Sequence, residues 1–190
     1  MNIVIFGPPG AGKGTQSKFI VSKFHLYQLS TGDLLRNEIK NKTQLGLKIS
    51  SIINSGELVS DEIVGSLIEK FISNDKYKQK IIFDGYPRTL VQAENLDNLL
   101  KRQKQKIDIV LKLSVSLETV KKRIVERQTK EQRTDDNEET AIKRFKTYEK
   151  SSEPVLEYYK KSNLLKVING ELGIPEINSE ISGLIEAIKG

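Results

Sequence analysis

The chain contains no cysteine and a single histidine in 190 residues. Without cysteine there is no disulfide, no thiolate metal site and no thiol nucleophile. The one histidine, His25, stands at the end of the first predicted helix, a position that suits a stabiliser of a helix C-terminus better than a catalytic base. No apolar run approaches the length of a membrane span, and the first strand begins by residue 2, which leaves no room for a signal peptide. The expectation is a soluble cytoplasmic protein with no membrane partner. There is no internal repeat, low-complexity tract or interdomain linker, and the length suits one α/β domain with a substantial core. Net charge is +6 with lysine dominating, and the pI is about 9.3. Most of that lysine belongs on solvated helix faces; with no aromatic–basic stripe, no nucleic-acid partner is expected.

What the chain does have begins at residue 3. The apolar run Ile3-Val4-Ile5-Phe6 leads into Gly7-Pro8-Pro9-Gly10-Ala11-Gly12-Lys13-Gly14-Thr15. This is a strand, a glycine-rich turn, and a lysine where a helix starts. Such a turn points unpaired N–H groups inward, the helix adds the positive end of its dipole, and Lys13 adds a full charge. The ligand that fits is a chain of phosphates, so the segment reads as a P-loop. The general pattern has Ser or Thr directly after the lysine; here Gly14 intervenes and Thr15 follows, which takes the hydroxyl out of the position from which it would ligate magnesium.

Short β-rich runs alternate with helical patterns. Strands are predicted at 2–6, 26–30, 80–84, 109–113 and 164–169, with helices at 13–24, 32–41, 44–55, 61–73, 90–102, 117–128, 137–161 and 175–188. Continuous apolar strands separated by helices imply a P-loop three-layer sandwich, a doubly wound parallel five-stranded sheet with helices on both faces and ligands beyond the carboxyl ends of the strands. Between 30 and 59 lie two helices and no strand, enough for a small lobe standing off the sheet. Five polar residues separate Arg127 from Arg133, a short hairpin or loop. Asp136 with Glu139 three residues on makes a capping box for the next helix.

The third strand ends Ile81-Ile82-Phe83-Asp84-Gly85, which places a carboxylate beside the P-loop where it can orient magnesium or its waters. A guanine-nucleotide switch would have glycine three residues after this aspartate, where Pro87 stands, and Asn41-Lys42-Thr43-Gln44 lacks the aspartate of a guanine-reading motif. In a lysine-dominated chain the arginines stand out. Arg36, Arg88, Arg123, Arg127, Arg133 and Arg144 all fall near predicted loops on the P-loop side, and guanidinium forks hold phosphate oxygens in two-point geometry. So many point to two phosphorylated substrates meeting. Transfer to an already ionised phosphate needs alignment and charge neutralisation but no base, which matches the lack of a base candidate and disfavours hydroxyl acceptors.

These segments together resemble the adenylate kinase family: the P-loop through Gln16, Leu29-Ser30-Thr31-Gly32-Asp33-Leu34-Leu35-Arg36, Gly56-Glu57-Leu58-Val59, Asp84-Gly85-Tyr86-Pro87-Arg88-Thr89 with Gln92, and the run from Arg133 to Thr140. The resemblance implies Mg-dependent ATP + AMP ⇌ 2 ADP. By matching position it implies ATP phosphates at Gly10, Ala11, Gly12, Lys13, Gly14 and Thr15, with Arg123 stacked on the ATP adenine, the backbone near Leu172 as its further wall, and Arg127 at the phosphates. It implies AMP at Thr31, Arg36, the Glu57-Leu58-Val59 backbone, Gly85, Tyr86, Pro87, Arg88 and Gln92. Arg133 and Arg144 would reach AMP or the transferring group. The catalytic set would be Lys13, Arg88, Arg127, Arg133, Arg144 and Asp84, with Mg2+ arriving with ATP and held through water near Asp84. The core would be 1–29, 60–126 and 134–190, the AMP-binding lobe 30–59 and the lid 127–133. With so short a lid and no cysteine, the chain resembles the short-lid form, with no structural zinc; a monomer is expected. UMP/CMP kinases share most of these features. Thr31 before Gly32 and Gln92 after the Tyr-Pro-Arg segment favour adenine, because a carboxamide offers a paired donor and acceptor. A non-catalytic P-loop binding module would not need arginines from three segments.

Overall fold

The structure is a computed structural model that describes residues 1–131 and 137–189. Five strands, β1 (Ile3–Phe6), β2 (Tyr27–Ser30), β3 (Ile81–Asp84), β4 (Ile109–Ser114) and β5 (Leu165–Asn169), form one parallel sheet in the order β2-β3-β1-β4-β5. Among the described residues eight α-helices connect and cover them: α1 (Lys13–Phe24), α2 (Thr31–Lys40), α3 (Gln44–Asn54), α4 (Asp61–Ile72), α5 (Leu90–Arg102), α6 (Leu117–Glu131), α7 (Glu138–Lys161) and α8 (Ile174–Lys189). A 3-10 turn at Asp75–Tyr77, absent from the sequence reading, leads into β3.

The apolar strands are continuous because both faces are buried, and the alternation of side chains assigns them to opposite layers. Val4 and Phe6 of β1 pack with Phe83 and with α4, α5 and α7 through Ile68, Leu96 and Tyr159. Ile3 and Ile5 pack the other way, with Ile82, Leu111 and the α1 and α8 residues Ile20 and Ile181. Each fully buried branched side chain contributes roughly 1.5–3 kcal/mol, so the central strand is anchored from two sides. A third, small cluster of Val120, Ile124 and Ala141 holds α6 to α7.

The doubly wound parallel sheet expected from the sequence is the one found. Two local expectations need correction. The polar stretch after Arg127 is not a loop from its start, since α6 continues through Glu131. Gln, Lys and Glu are good helix formers, and no glycine or proline interrupts them. The cap of α7 is Asn137, whose side chain accepts from the Thr140 N–H at 2.8 Å; Asp136, expected in that role, lies outside the described residues. Among the described residues no helix is long and apolar enough to cross a membrane.

Candidate active site

All five strands point the same way, so β1, β2 and β3 deliver the P-loop, Thr31 and the Asp84–Gly85 turn to one edge of the sheet. In the P-loop, the Ala11 N–H closes a turn on the Pro8 carbonyl at 3.1 Å. Gly10 and Gly12 take φ values of 79° and 97°, the left-handed region where only glycine is free of strain. Helices α2, α3, α5 and α7 each begin under a side-chain cap. Helix α1 has no capping side chain and no acidic residue in its first turn, so its leading N–H groups remain open to an anion. Gly14, exposed in that turn, has nothing within 4 Å of where a Cβ would stand. The fold does not need a glycine there, whereas a ligand resting on the backbone would.

Lys13 Nζ donates to the carbonyls of Gly7 at 2.7 Å and Pro8 at 3.1 Å, folding back over the loop. Removal from water pulls its pKa down to about 8; the Asp84 carboxylate opposes this, and the cations of Arg88, Arg144 and Arg127 add to it. The charged form is therefore lost as pH rises through about 8 in the free protein, and an anion placed beside Nζ would restore it. For the ATP substrate that the resemblance implies, log kcat/KM is expected to bend downward above about pH 8, toward one decade per pH unit. The kcat profile should hold to higher pH, and a Lys13→Arg variant should lack the bend.

Beside the P-loop opens a cleft with a cavity volume of about 120 Å³. Lys13 reaches it from α1, Thr31 and Arg36 from α2, Arg88 from the β3–α5 turn and Arg144 from α7. Glu57, Leu58 and Val59, Gly85, Pro87 and Gln92 complete its polar and backbone walls. Leu35, Ile53 and Val64 give it an apolar side that the sequence reading did not single out; they read there as ordinary core positions. Arg88 Nε donates to the Gly85 carbonyl at 2.7 Å, which fixes the direction of its fork. Its pKa is lowered by removal from water, opposed by Asp84 and reinforced by Arg36. Arg36 also pairs with Asp33 at 2.6 Å. Cations held this close in a low-dielectric cleft favour the entry of an anion.

Two members of the expected set behave differently from their neighbours. Tyr86 is only 1% exposed, and its hydroxyl donates to the Gln92 backbone carbonyl, so its side chain belongs to the core; its chain neighbours Gly85 and Pro87 line the cleft. Gln92, 3% exposed, already uses both ends of its carboxamide: Nε2 donates to Asp61 Oδ1 at 2.6 Å, and Oε1 accepts from the Arg88 N–H at 2.7 Å. Asp61 escaped the sequence reading because an aspartate in the first turn of a helix looks like a complement to its dipole.

On the other side of the P-loop, Arg123 bridges two segments, donating from Nη1 to the Ala11 carbonyl at 3.3 Å and from Nη2 to Gly170 at 2.9 Å. The exposed Leu172 follows that same turn. Arg127 lies four residues along α6 from Arg123, hence on the same face of the helix, and its charge is felt at Lys13. Asp84, buried at the end of β3, accepts from Gln28 Nε2 on Oδ2 at 2.9 Å. Arg133 lies outside the described residues. The described residues contain no group of three or more His, Asp or Glu that could hold a metal ion.

A family model described as "Adenylate kinase" matches residues 5–164. An "Adenylate kinase" of Pelagibacter ubique (strain HTCC1062) is 43% identical over an alignment of 212 positions that covers 98% of this chain and 100% of that protein. An "Adenylate kinase" of Archaeoglobus fulgidus is 38% identical, with full coverage of both chains. For an "Adenylate kinase" of Caulobacter sp. (strain K31) the identity is 40% over 188 positions, covering 99% of this chain and 100% of the relative.

Proposed function

The chain belongs to the adenylate kinase family, a family of phosphotransferases acting on nucleoside monophosphates, and from that we propose that it carries out the Mg-dependent reaction ATP + AMP ⇌ 2 ADP. One observation carries the reading of the site: Lys13, Arg36, Arg88 and Arg144, brought by four separate segments, line a single cleft beside an uncapped helix N-terminus. In this reading the triphosphate lies on the P-loop from Gly10 to Thr15, with Arg123 over its base and Leu172 beyond. AMP occupies the cleft, its phosphate between Arg36 and Arg88, its base toward Gln92 and the Glu57–Val59 backbone.

The chemistry then needs little beyond placement. The acceptor oxygen is already ionised, so no base is required; Lys13, Arg88 and Arg144 bring mutually repelling groups together and balance the charge that spreads over the transferring phosphoryl group. Arg127, on the α6 face that carries Arg123, would join this set, and Arg133 is expected to do the same. Magnesium, arriving with ATP, would supply neutralisation of the negative charge on the donor phosphates. One buried carboxylate at the strand end, with Oδ2 held by Gln28, fits an ion that keeps most of its ligands as phosphate and water, and Asp84 would hold one of those waters. Helices α2 and α3 would form the AMP-binding lobe over residues 30–59, and residues 127–133 a short lid that brings Arg127 and Arg133 in when both nucleotides are bound, excluding water. The end-to-end match of 188 positions to the Caulobacter protein supports the short-lid form.

The test is a coupled ADP assay of the purified protein, offering AMP, CMP, UMP and GMP in turn with Mg-ATP. AMP is expected to lead by at least about tenfold in kcat/KM, because an unpaired buried polar group costs about 1–3 kcal/mol. CMP or UMP leading instead would move the chain to the pyrimidine kinases.

A further inference from the structure

Asp61, the first residue of α4, accepts from Gln92 Nε2 on Oδ1 at 2.6 Å and from Thr89 Oγ1 on Oδ2 at 3.1 Å. At the other end of the same amide, Gln92 Oε1 accepts from the Arg88 backbone N–H at 2.7 Å. A carboxylate offers only lone pairs and a backbone N–H only its hydrogen. The Gln92 carboxamide can satisfy both neighbours in one orientation alone. Turned by half a rotation, it would set Oε1 against the carboxylate and its own N–H against another. The hydroxyl of Thr89 is polarised by the same group: with its hydrogen on Asp61, its lone pair faces the Gln92 N–H at 3.2 Å and caps α5. A carboxylate present only to complement the α4 dipole would need neither contact.

We propose that Asp61 is a specificity-determining positioning residue that locks the polarity of the Gln92 carboxamide and so selects a base edge pairing a donor amine with an acceptor ring nitrogen. The proposal rests on the reading that Gln92 meets the acceptor base in the cleft. The two protein contacts engage one hydrogen of Nε2 and one lone pair of Oε1, which leaves one of each. Adenine presents the matching pair, an N1 acceptor and an N6 donor. A 6-oxopurine reverses both, with O6 as acceptor and N1–H as donor, and can be matched only by the flipped amide that Asp61 and Arg88 oppose together.

The experiment compares AMP with inosine monophosphate, which carries the same ribose and phosphate, as acceptors for wild type, Asp61→Asn, Asp61→Glu and Gln92→Leu. Asparagine can face the amide with either end, so one of the two opposing contacts disappears. For Asp61→Asn, KM for AMP should rise about tenfold and the preference for AMP over inosine monophosphate should fall about tenfold, while KM for ATP moves less than about twofold. Asp61→Glu keeps an acceptor-only group and should keep more of the preference than Asp61→Asn. An unchanged ratio, or equal losses for both acceptors, overturns the proposal. If Gln92→Leu leaves the ratio as in wild type, the base is not read by Gln92 and the underlying site reading fails; if Gln92→Leu abolishes the preference and Asp61→Asn does not, only the role of Asp61 falls. Independently of turnover and of whether the variants fold, the Gln92 side-chain amide in a nitrogen-15 spectrum of the wild-type protein should show one strongly downfield proton, and its absence overturns the proposal.

Discussion

Lys13→Ala should lower kcat by about 10²-fold or more, the usual scale for removing one preorganised charge donor, with little change in melting temperature. The ammonium is held over the P-loop by two backbone carbonyls, and the apolar packing of α1 runs through Ile20, not through this side chain. Its lowered pKa means that the fold holds this cation at some cost, so truncation should leave stability unchanged or slightly improved. Steady-state kinetics beside thermal melts decide the matter. Activity within a few-fold of wild type would remove Lys13 from the transferring centre, and a collapsed melt would make it structural.

Arg88→Lys should be nearly as damaging, again about 10²-fold in kcat/KM for AMP, although the charge is kept. The guanidinium gives Nε to the Gly85 carbonyl at 2.7 Å and still has a fork to offer; a lysine has a single nitrogen and must choose between anchor and phosphate. The loss should fall on AMP and leave KM for ATP little changed, since the P-loop lies on the other side of the transferring group. A lysine variant with near-normal KM for AMP would show that the site needs charge and not two-point geometry.

The fold was legible because its signals were redundant. Helices α1 and α5 run over the residues that the spacing predicts, and each strand differs from its predicted span by at most one residue at either end. Strand burial on both faces leaves little freedom, since a slip of one residue would move Ile3 and Ile5 into the wrong layer. The cleft was legible for the same reason: Thr31, Arg36, Gly85, Pro87, Arg88, Gln92 and Arg144 are separated along the chain but converge once the strand ends are aligned. What escaped was whatever depends on how the elements pack rather than on the spacing of residues along them. That Tyr86 turns inward to Gln92, and that Asp61 reaches across 31 residues to the same side chain, follows from packing of α4 on the β3–α5 turn and leaves no periodic trace. The continuation of α6 past Arg127 escaped for the opposite reason. A polar stretch was expected to loop, although its individual residues favour helix.

The glycines of the P-loop look local, but their backing is not. A Cβ on Gly7 would stand 3.2 Å from the Leu113 carbonyl, and one on Gly10 would stand 3.2 Å from the carbonyl of Val120. The central strand β1 likewise has both of its neighbours, β3 and β4, far downstream. During synthesis from the amino terminus, the first fifteen residues therefore emerge with only their own turn contacts until β3 has followed, and without the backing of Leu113 and Val120 until later still. A nucleotide bound on the complete loop rests on segments that are made late. Its binding certifies a nearly finished molecule, so the stabilisation that ATP confers by mass action reaches only chains in which both halves have already assembled.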